Sequence, residues 1–197
     1  MKTEPKLDGN FWNDRYRSNE TGWDLGQVSP PLKGYIDQLT DKNLRILIPG
    51  CGNSYEAEYL LEKGFKNITV IDIAPELVER LKSKFQSNQN INVVLGDFFT
   101  HKAEYDLVLE QTFFCALDPK LRKNYAEAME PLLVRGGKLA GVLFGKEFET
   151  QGPPFGGTDI EYLALFSDAF YFRTFEPCYN SIPKRAGSEL FVILEKK

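Results

Sequence analysis

The sequence predicts an α/β protein, a single-domain, doubly wound seven-stranded sheet that is mostly parallel with the last strand antiparallel. Three observations carry this. From Arg45 onward, short apolar runs alternate with longer helix-forming stretches, the pattern of a parallel sheet with helical crossovers. The first run, Ile46 to Ile48, ends abruptly in Gly50-Cys51-Gly52 ahead of the helix-forming stretch Glu56 to Lys63, which reads as strand, tight turn and helix. Between the last two apolar runs stand only Pro177 to Gly187, little room for the crossover that a parallel connection needs.

Strands are predicted near 45–49, 68–72, 92–95, 105–110, 138–144, 170–176 and 189–195. Helices are predicted near 30–39, 54–63, 75–87, 119–133 and 159–168. Pro30-Pro31, Pro75 and Pro119 stand at helix starts, where a fixed φ and a missing N–H do no harm. Gly136-Gly137 reads as the stop between the fourth of these long helices and the fifth strand. Residues 1–29 are polar, with Phe11, Trp12, Tyr16 and Trp23 interspersed and no clean helical or strand period. No internal repeat or linker interrupts the chain.

Composition narrows the function classes. The chain has 197 residues, enough for one sizeable core, and a net charge of −4. It carries no Lys/Arg run to follow a phosphate backbone, so a nucleic-acid partner is not expected. No apolar stretch approaches the roughly 20 residues that span a bilayer, and residues 1–5 have no signal-like apolar region, so no membrane association and a cytoplasmic location are expected. Cys51, Cys115 and Cys178 are odd in number and far apart, and His101 is the sole histidine. A disulfide framework, a metal site and a His-centred triad are therefore not expected.

The strand ends point to a ligand. The second apolar run closes in Asp72, 22 residues beyond Gly50, where an acid is placed to bind ribose hydroxyls. A tight turn alone would explain Gly50 and Gly52; the acid adds an adenosine. The third glycine position of a dinucleotide fingerprint is Tyr55, and no Gly-Lys-Ser/Thr follows the loop, so a nicotinamide cofactor and a P-loop phosphate both fit poorly. S-adenosylmethionine (SAM), an adenosine without a phosphate, fits. The third run closes in Gly96-Asp97-Phe98. Asp97 there suits an adenine amine and Phe98 its ring, since ligands of open α/β sheets sit outside the carboxyl ends of strands.

Phe11-Trp12, Arg15-Tyr16 and Glu20-Thr21-Gly22-Trp23-Asp24-Leu25-Gly26, followed by Pro49-Gly50-Cys51-Gly52, Asp72-Ile73 and Gly96-Asp97-Phe98-Phe99, form a pattern. It continues through Tyr105 to Glu110, Thr112-Phe113-Phe114-Cys115-Ala116-Leu117, Arg122 to Met129, Gly152-Pro153-Pro154-Phe155 and Ile182-Pro183. With these residues the chain resembles the thiopurine methyltransferase superfamily, most closely its thiol and halide methyltransferase branch. The resemblance implies a SAM-dependent methyltransferase domain over 41–197, preceded by a lid segment and leading helix over 1–40. It implies that Trp12, Tyr16 and Trp23 form an aromatic lid, Tyr16 standing where the family commonly has tryptophan. Gly50 then meets the methionine end, Asp72 the ribose, and Asp97 with Phe98 the adenine. Gln111 falls where relatives place a tyrosine or arginine beside the cofactor.

An aromatic lid suits a sulfonium, since a ring face attracts a cation by about 0.5–2 kcal/mol. An anionic acceptor needs no base, only alignment, which is worth about 7–11 kcal/mol. Trp23, Phe113, Phe114 and Phe155 are the expected pocket walls, with Arg15 or Tyr179 guiding an anion. Glu110 is either a base or structural. The expected activity is methyl transfer to a small thiol or halide-type anion, by a monomer acting on a small molecule. The alternatives are a larger aromatic thiol or metalloid acceptor, and a SAM-binding protein without turnover.

Overall fold

The computed structural model describes residues 6–149 and 152–197. The first five residues and Thr150-Gln151 lie outside that description. Seven strands form one sheet: β1 (Arg45–Pro49), β2 (Asn67–Asp72), β3 (Ile91–Leu95), β4 (Tyr105–Gln111), β5 (Leu133–Phe144), β6 (Phe170–Pro177) and β7 (Glu189–Lys196). Their order is β3-β2-β1-β4-β5-β7-β6. β7 lies between β5 and β6 and is antiparallel to both, as the short connection before it requires.

Helices cover both faces. β1 shows why: Ile46 and Ile48 point into one core, Leu47 into the other, the alternation of a strand buried on both sides. On the first face, α2 (Pro30–Ile36), α3 (Tyr55–Glu62) and α4 (Pro75–Phe85) contribute Leu32, Ile36, Leu60, Leu77 and Leu81. On the second, α5 (Arg122–Leu132) and α6 (Asp159–Phe166) contribute Tyr125, Met129, Tyr162 and Phe166. Among the described residues no helix is long and apolar enough to cross a membrane.

Two local readings need correction. The polar N-terminal stretch contains a helix, α1 (Gly9–Arg17). Asp8 caps it, accepting from Asn10 N at 3.1 Å and Phe11 N at 3.2 Å. Its one buried polar side chain, Asn13, accepts from Glu76 N at 3.1 Å. α1 thus caps the first turn of α4, and this tie adds to the packing of Trp12 and Tyr16, one turn apart, against the first core. The pair Gly136-Gly137 does not end a helix. α5 stops at Leu132, directly after Pro131, which lacks the donor to continue it. β5 begins at once, and the glycines lie inside it at a register shift against β4. A Cβ on Gly137 would stand 2.9 Å from Val134 O, so the irregular strand needs glycine there.

Candidate active site

The carboxyl ends of β1, β2, β3 and β4 converge on the loop after β1. Gly50 has φ 55° and Gly52 φ 50°, left-handed values that favour glycine. A Cβ on Gly50 would lie 2.2 Å from Phe113 Cδ2, and one on Gly52 3.4 Å from Tyr16 Oη. The loop is therefore pressed between the turn after β4 and the N-terminal aromatics.

Asp72 ends β2 beneath this loop and is buried, 8% exposed. Its Oδ2 accepts from Gly52 N at 3.3 Å and its Oδ1 from Ala74 N at 2.9 Å. Burial pushes its carboxyl up, against the pull of those N–H groups. Beside it Ile73 (37%) and Leu95 (46%) are exposed apolar side chains, and Leu95 is the register partner of Asp72. The sequence marks Ile73 only as part of the Asp72-Ile73 motif and Leu95 only as a strand residue; neither is assigned a role at a ligand there.

Trp12, Tyr16 and Trp23 come together. Trp23 stands edge-on to Trp12, centroids 5.4 Å apart, and to Tyr16, 5.7 Å apart. Tyr16, half-buried, reaches Gly52 and carries the Arg80 guanidinium 5.6 Å from its ring centre. Burial, with the negative field of Asp72, pushes its phenol far up. Through Tyr16 this cluster of rings meets the glycine loop.

The arm beyond Trp23 is fixed in place. Asp24 accepts from Asn53 Nδ2 and, at 3.4 Å, from Tyr55 Oη. Ser29 N donates to the buried Glu56 at 3.1 Å. Tyr55, which spoils a dinucleotide fingerprint, is therefore part of this tie.

At the end of β4, Glu110 is wholly buried. Its Oε1 accepts from Phe113 N and Phe114 N, and its Oε2 from Tyr125 Oη at 2.7 Å. Desolvation still pushes its carboxyl up to about 7. Gln111 follows, and its Oε1 is a buried acceptor with no hydrogen-bond partner. Extending the β1–β4 register, in which Leu47 faces Val108, sets Gln111 beside Gly50.

Several expected positions differ. Phe98 does not offer its ring to a ligand: it is 4% exposed and stacks on Tyr125 at 5.3 Å. Phe114 is likewise core, against Tyr125 and Tyr162. Asp97 is exposed and caps its own turn, accepting from Phe99 N at 3.0 Å. Arg15 pairs with Glu20 at 2.5 Å on the surface, and Tyr179 is 94% exposed, so neither lines an enclosed pocket. Phe113 and Phe155 are half-buried, and Phe155 N donates to Cys115 O at 2.7 Å, which sets the Gly/Pro-rich loop against the turn after β4.

Two arginines organise this side: Arg122, which opens the Arg122–Met129 stretch, and Arg185, which no motif marks. Arg122, 5% exposed, donates to both Glu161 oxygens, at 2.7 and 2.8 Å, and to Gly156 O at 2.6 Å. Arg185 donates to Trp23 O at 2.8 Å and Glu189 Oε1 at 3.3 Å. Both bear on the buried Cys115 thiol, whose pKa burial pushes up and they draw down. No sequence signal marks Arg185, whose partner Trp23 is 162 residues away. A surface cavity of about 340 Å³ lined by Arg45, His101, Lys102 and Pro131 lies at the opposite end of the sheet and gathers none of these groups.

A glycine loop without room for side chains, a buried acid under it, exposed apolar groups beside that acid and an unpartnered Gln111 acceptor fit SAM. Fold and site together define a SAM-dependent methyltransferase. The profile of the thiopurine S-methyltransferase family matches residues 7–191, and the chain belongs to that family. A probable thiol methyltransferase 2 of Arabidopsis thaliana is 32% identical over 156 residues, 77% of this chain and 69% of that protein. Thiocyanate methyltransferase 1 of the same plant is 25% identical, covering 90% of this chain and 81% of that protein. The thiopurine S-methyltransferase of Vibrio cholerae is 28% identical, with 81% of each covered. Among solved structures, the Burkholderia thailandensis 1,6-didemethyltoxoflavin-N1-methyltransferase superposes with a TM-score of 0.74 at 16% identity, covering 99% of this chain and 93% of that one. A TehB-like SAM-dependent methyltransferase from Corynebacterium glutamicum gives 0.68 at 18%, covering 96% and 98%.

Proposed function

We propose that this methyltransferase acts on a small acceptor that arrives as an anion: bisulfide, a thiolate, thiocyanate or a halide. The observation that carries this is the state of the acids and bases. Glu110, the buried acid at the reacting end, has both oxygens engaged, Oε1 by the Phe113 turn and Oε2 by the Tyr125 hydroxyl. His101 lies at the other end of the sheet, bonded to Tyr105 at 2.7 Å. An acceptor that is already ionised needs neither.

SAM supplies a methyl group activated by its sulfonium. On this reading Asp72 holds the ribose, Gly50 and Gln111 the amino-acid end, Ile73 and Leu95 the adenine faces, and Asp97 the adenine amine. Trp12, Tyr16 and Trp23 present rings to a cation and keep water from the transfer. Phe113, Phe155 and Trp23 bound the acceptor. The single chain is the working unit.

The names of the two Arabidopsis relatives support this reading; the Vibrio relative favours a thiopurine-type acceptor as the second one. A sealed assay separates them. Protein and SAM are incubated with bisulfide, thiocyanate, iodide or a thiopurine, the methylated volatiles are followed by gas chromatography and the methylthiopurine by absorbance. Turnover of the small anions is expected. Turnover of the thiopurine alone overturns the small-anion assignment.

A further inference from the structure

We infer that Arg185 is a latch that holds the aromatic lid closed over the cofactor loop, acting through Trp23 as a positioning residue. The inference rests on the reading of Trp23 as part of that lid. Arg185 leaves the β6–β7 connection, and its side chain is 11% exposed. One arm of the guanidinium donates to the main-chain carbonyl of Trp23 at 2.8 Å. The other donates to Glu189 at 3.3 Å, a carboxylate whose side chain is 5% exposed. The same guanidinium lies 5.8 Å from the Phe144 ring centre.

Glu189 is a firm base for this. It opens β7, pairs in register with Phe144 of β5, and its carbonyl accepts from Cys178 N at 2.8 Å. The latch therefore runs from the sheet through Glu189 and Arg185 to Trp23, and from Trp23 through ring contacts to Trp12 and Tyr16. With the lid raised, Arg185 would lose its hydrogen bond to the Trp23 carbonyl, and a bond from a charged donor is stronger than a neutral one. Closure is thereby favoured before any ligand arrives. The Asp24–Asn53 and Ser29–Glu56 contacts fix the far side of the arm but touch neither tryptophan ring. Arg185 ties the main chain of Trp23 itself to the sheet.

The chain holds two tryptophans, and both lie in the lid, so intrinsic fluorescence reads the lid directly. Arg185→Met keeps the length and removes the donors. Acrylamide quenching without SAM and calorimetric titration with SAM are measured on it, on Arg185→Lys and on Trp23→Ala, after a cooperative melt verifies folding. Arg185→Met is expected to quench more readily and to bind SAM about 10–100-fold more weakly, the range for a lost hydrogen bond to a charged group. Arg185→Lys is expected to recover part of both, and carries the test if the Met variant does not fold. Wild-type quenching and affinity in the folded Arg185 variants, beside weakened binding in Trp23→Ala, would overturn the latch alone. Unchanged affinity in Trp23→Ala would overturn the lid reading and the latch with it. Neither readout depends on which acceptor is methylated.

Discussion

Glu110 builds the turn that carries Phe113: its Oε1 accepts from Phe113 N at 2.8 Å and Phe114 N at 2.9 Å. The preceding Thr112 has φ 61°, an unfavourable conformation for a β-branched residue that these bonds hold in place. Burial raises the Glu110 carboxyl from 4.5 to about 7. A carboxyl raised on folding adds stability that is fully present below its unfolded value and is lost as pH rises through the folded one. Relative to Glu110→Gln, the wild type is expected to lose about 2–3 kcal/mol of stability between pH 5 and pH 8, at 1.36 kcal/mol per pH unit. Urea unfolding at the two pH values measures the difference.

Asp72 lies under the glycine loop with two main-chain donors and is the expected ribose acceptor. Asp72→Asn keeps the shape and removes the charge. SAM affinity is expected to fall about 10–100-fold, as for lost hydrogen bonds to a charged group, with the fold intact. Calorimetric titration beside a thermal melt checks it.

Gly50→Ala would set a Cβ 2.2 Å from Phe113 Cδ2 at a positive φ. The strained backbone alone costs about 1–3 kcal/mol, and Phe113 must move as well. Loss of both SAM binding and thermal stability is expected, whereas Gly52→Ala, whose nearest contact is the Tyr16 hydroxyl at 3.4 Å, should be milder in both measurements.

Arg122 pins the Gly/Pro-rich loop through Gly156 O and ties α5 to α6 through Glu161. Arg122→Met is expected to cost about 2–4 kcal/mol, toward the lower end for a broken buried pair because Glu161 is partly exposed. KM for the acceptor should rise more than KM for SAM, since the loop adjoins Phe155. Steady-state kinetics in both substrates separate the two.

His101 bonds Tyr105 away from the strand ends that form the site. His101→Gln is expected to leave turnover within about twofold of wild type, as for a surface change away from the site. A large fall in kcat at unchanged stability would contradict the absence of a histidine from the transfer.

The sheet and the glycine loop were legible because their signals are local. Ile46–Gly52 writes strand and turn into seven consecutive residues ahead of the helix that begins at Tyr55, and Asp72 marks the next strand end. Helix α1 was not legible, because its apolar pair, Trp12 and Tyr16, stands in a polar stretch, while its cap is Asp8 and its tie to α4 is Asn13. Phe98 was misread for a related reason: it follows an acid at a strand end, yet only the packed Tyr125 reveals that its ring turns inward. Arg15 and Arg185 make the same point in opposite directions. The first stands in a suggestive motif and pairs at the surface; the second stands in an unremarked loop and reaches the lid. Long-range polar contacts leave no periodicity, so sequence patterns cannot announce them.

The strand order β5-β7-β6 has a consequence for biosynthesis. β6 is hydrogen-bonded in the sheet only to β7, so on the ribosome it must wait unpaired until the later strand has been translated. The carboxylate that anchors Arg185 belongs to that same late strand. Sheet edge and the Arg185–Glu189 pair are thus completed together once β7 is made, and a polypeptide interrupted before Glu189 would carry the whole glycine loop yet lack the carboxylate that Arg185 pairs with.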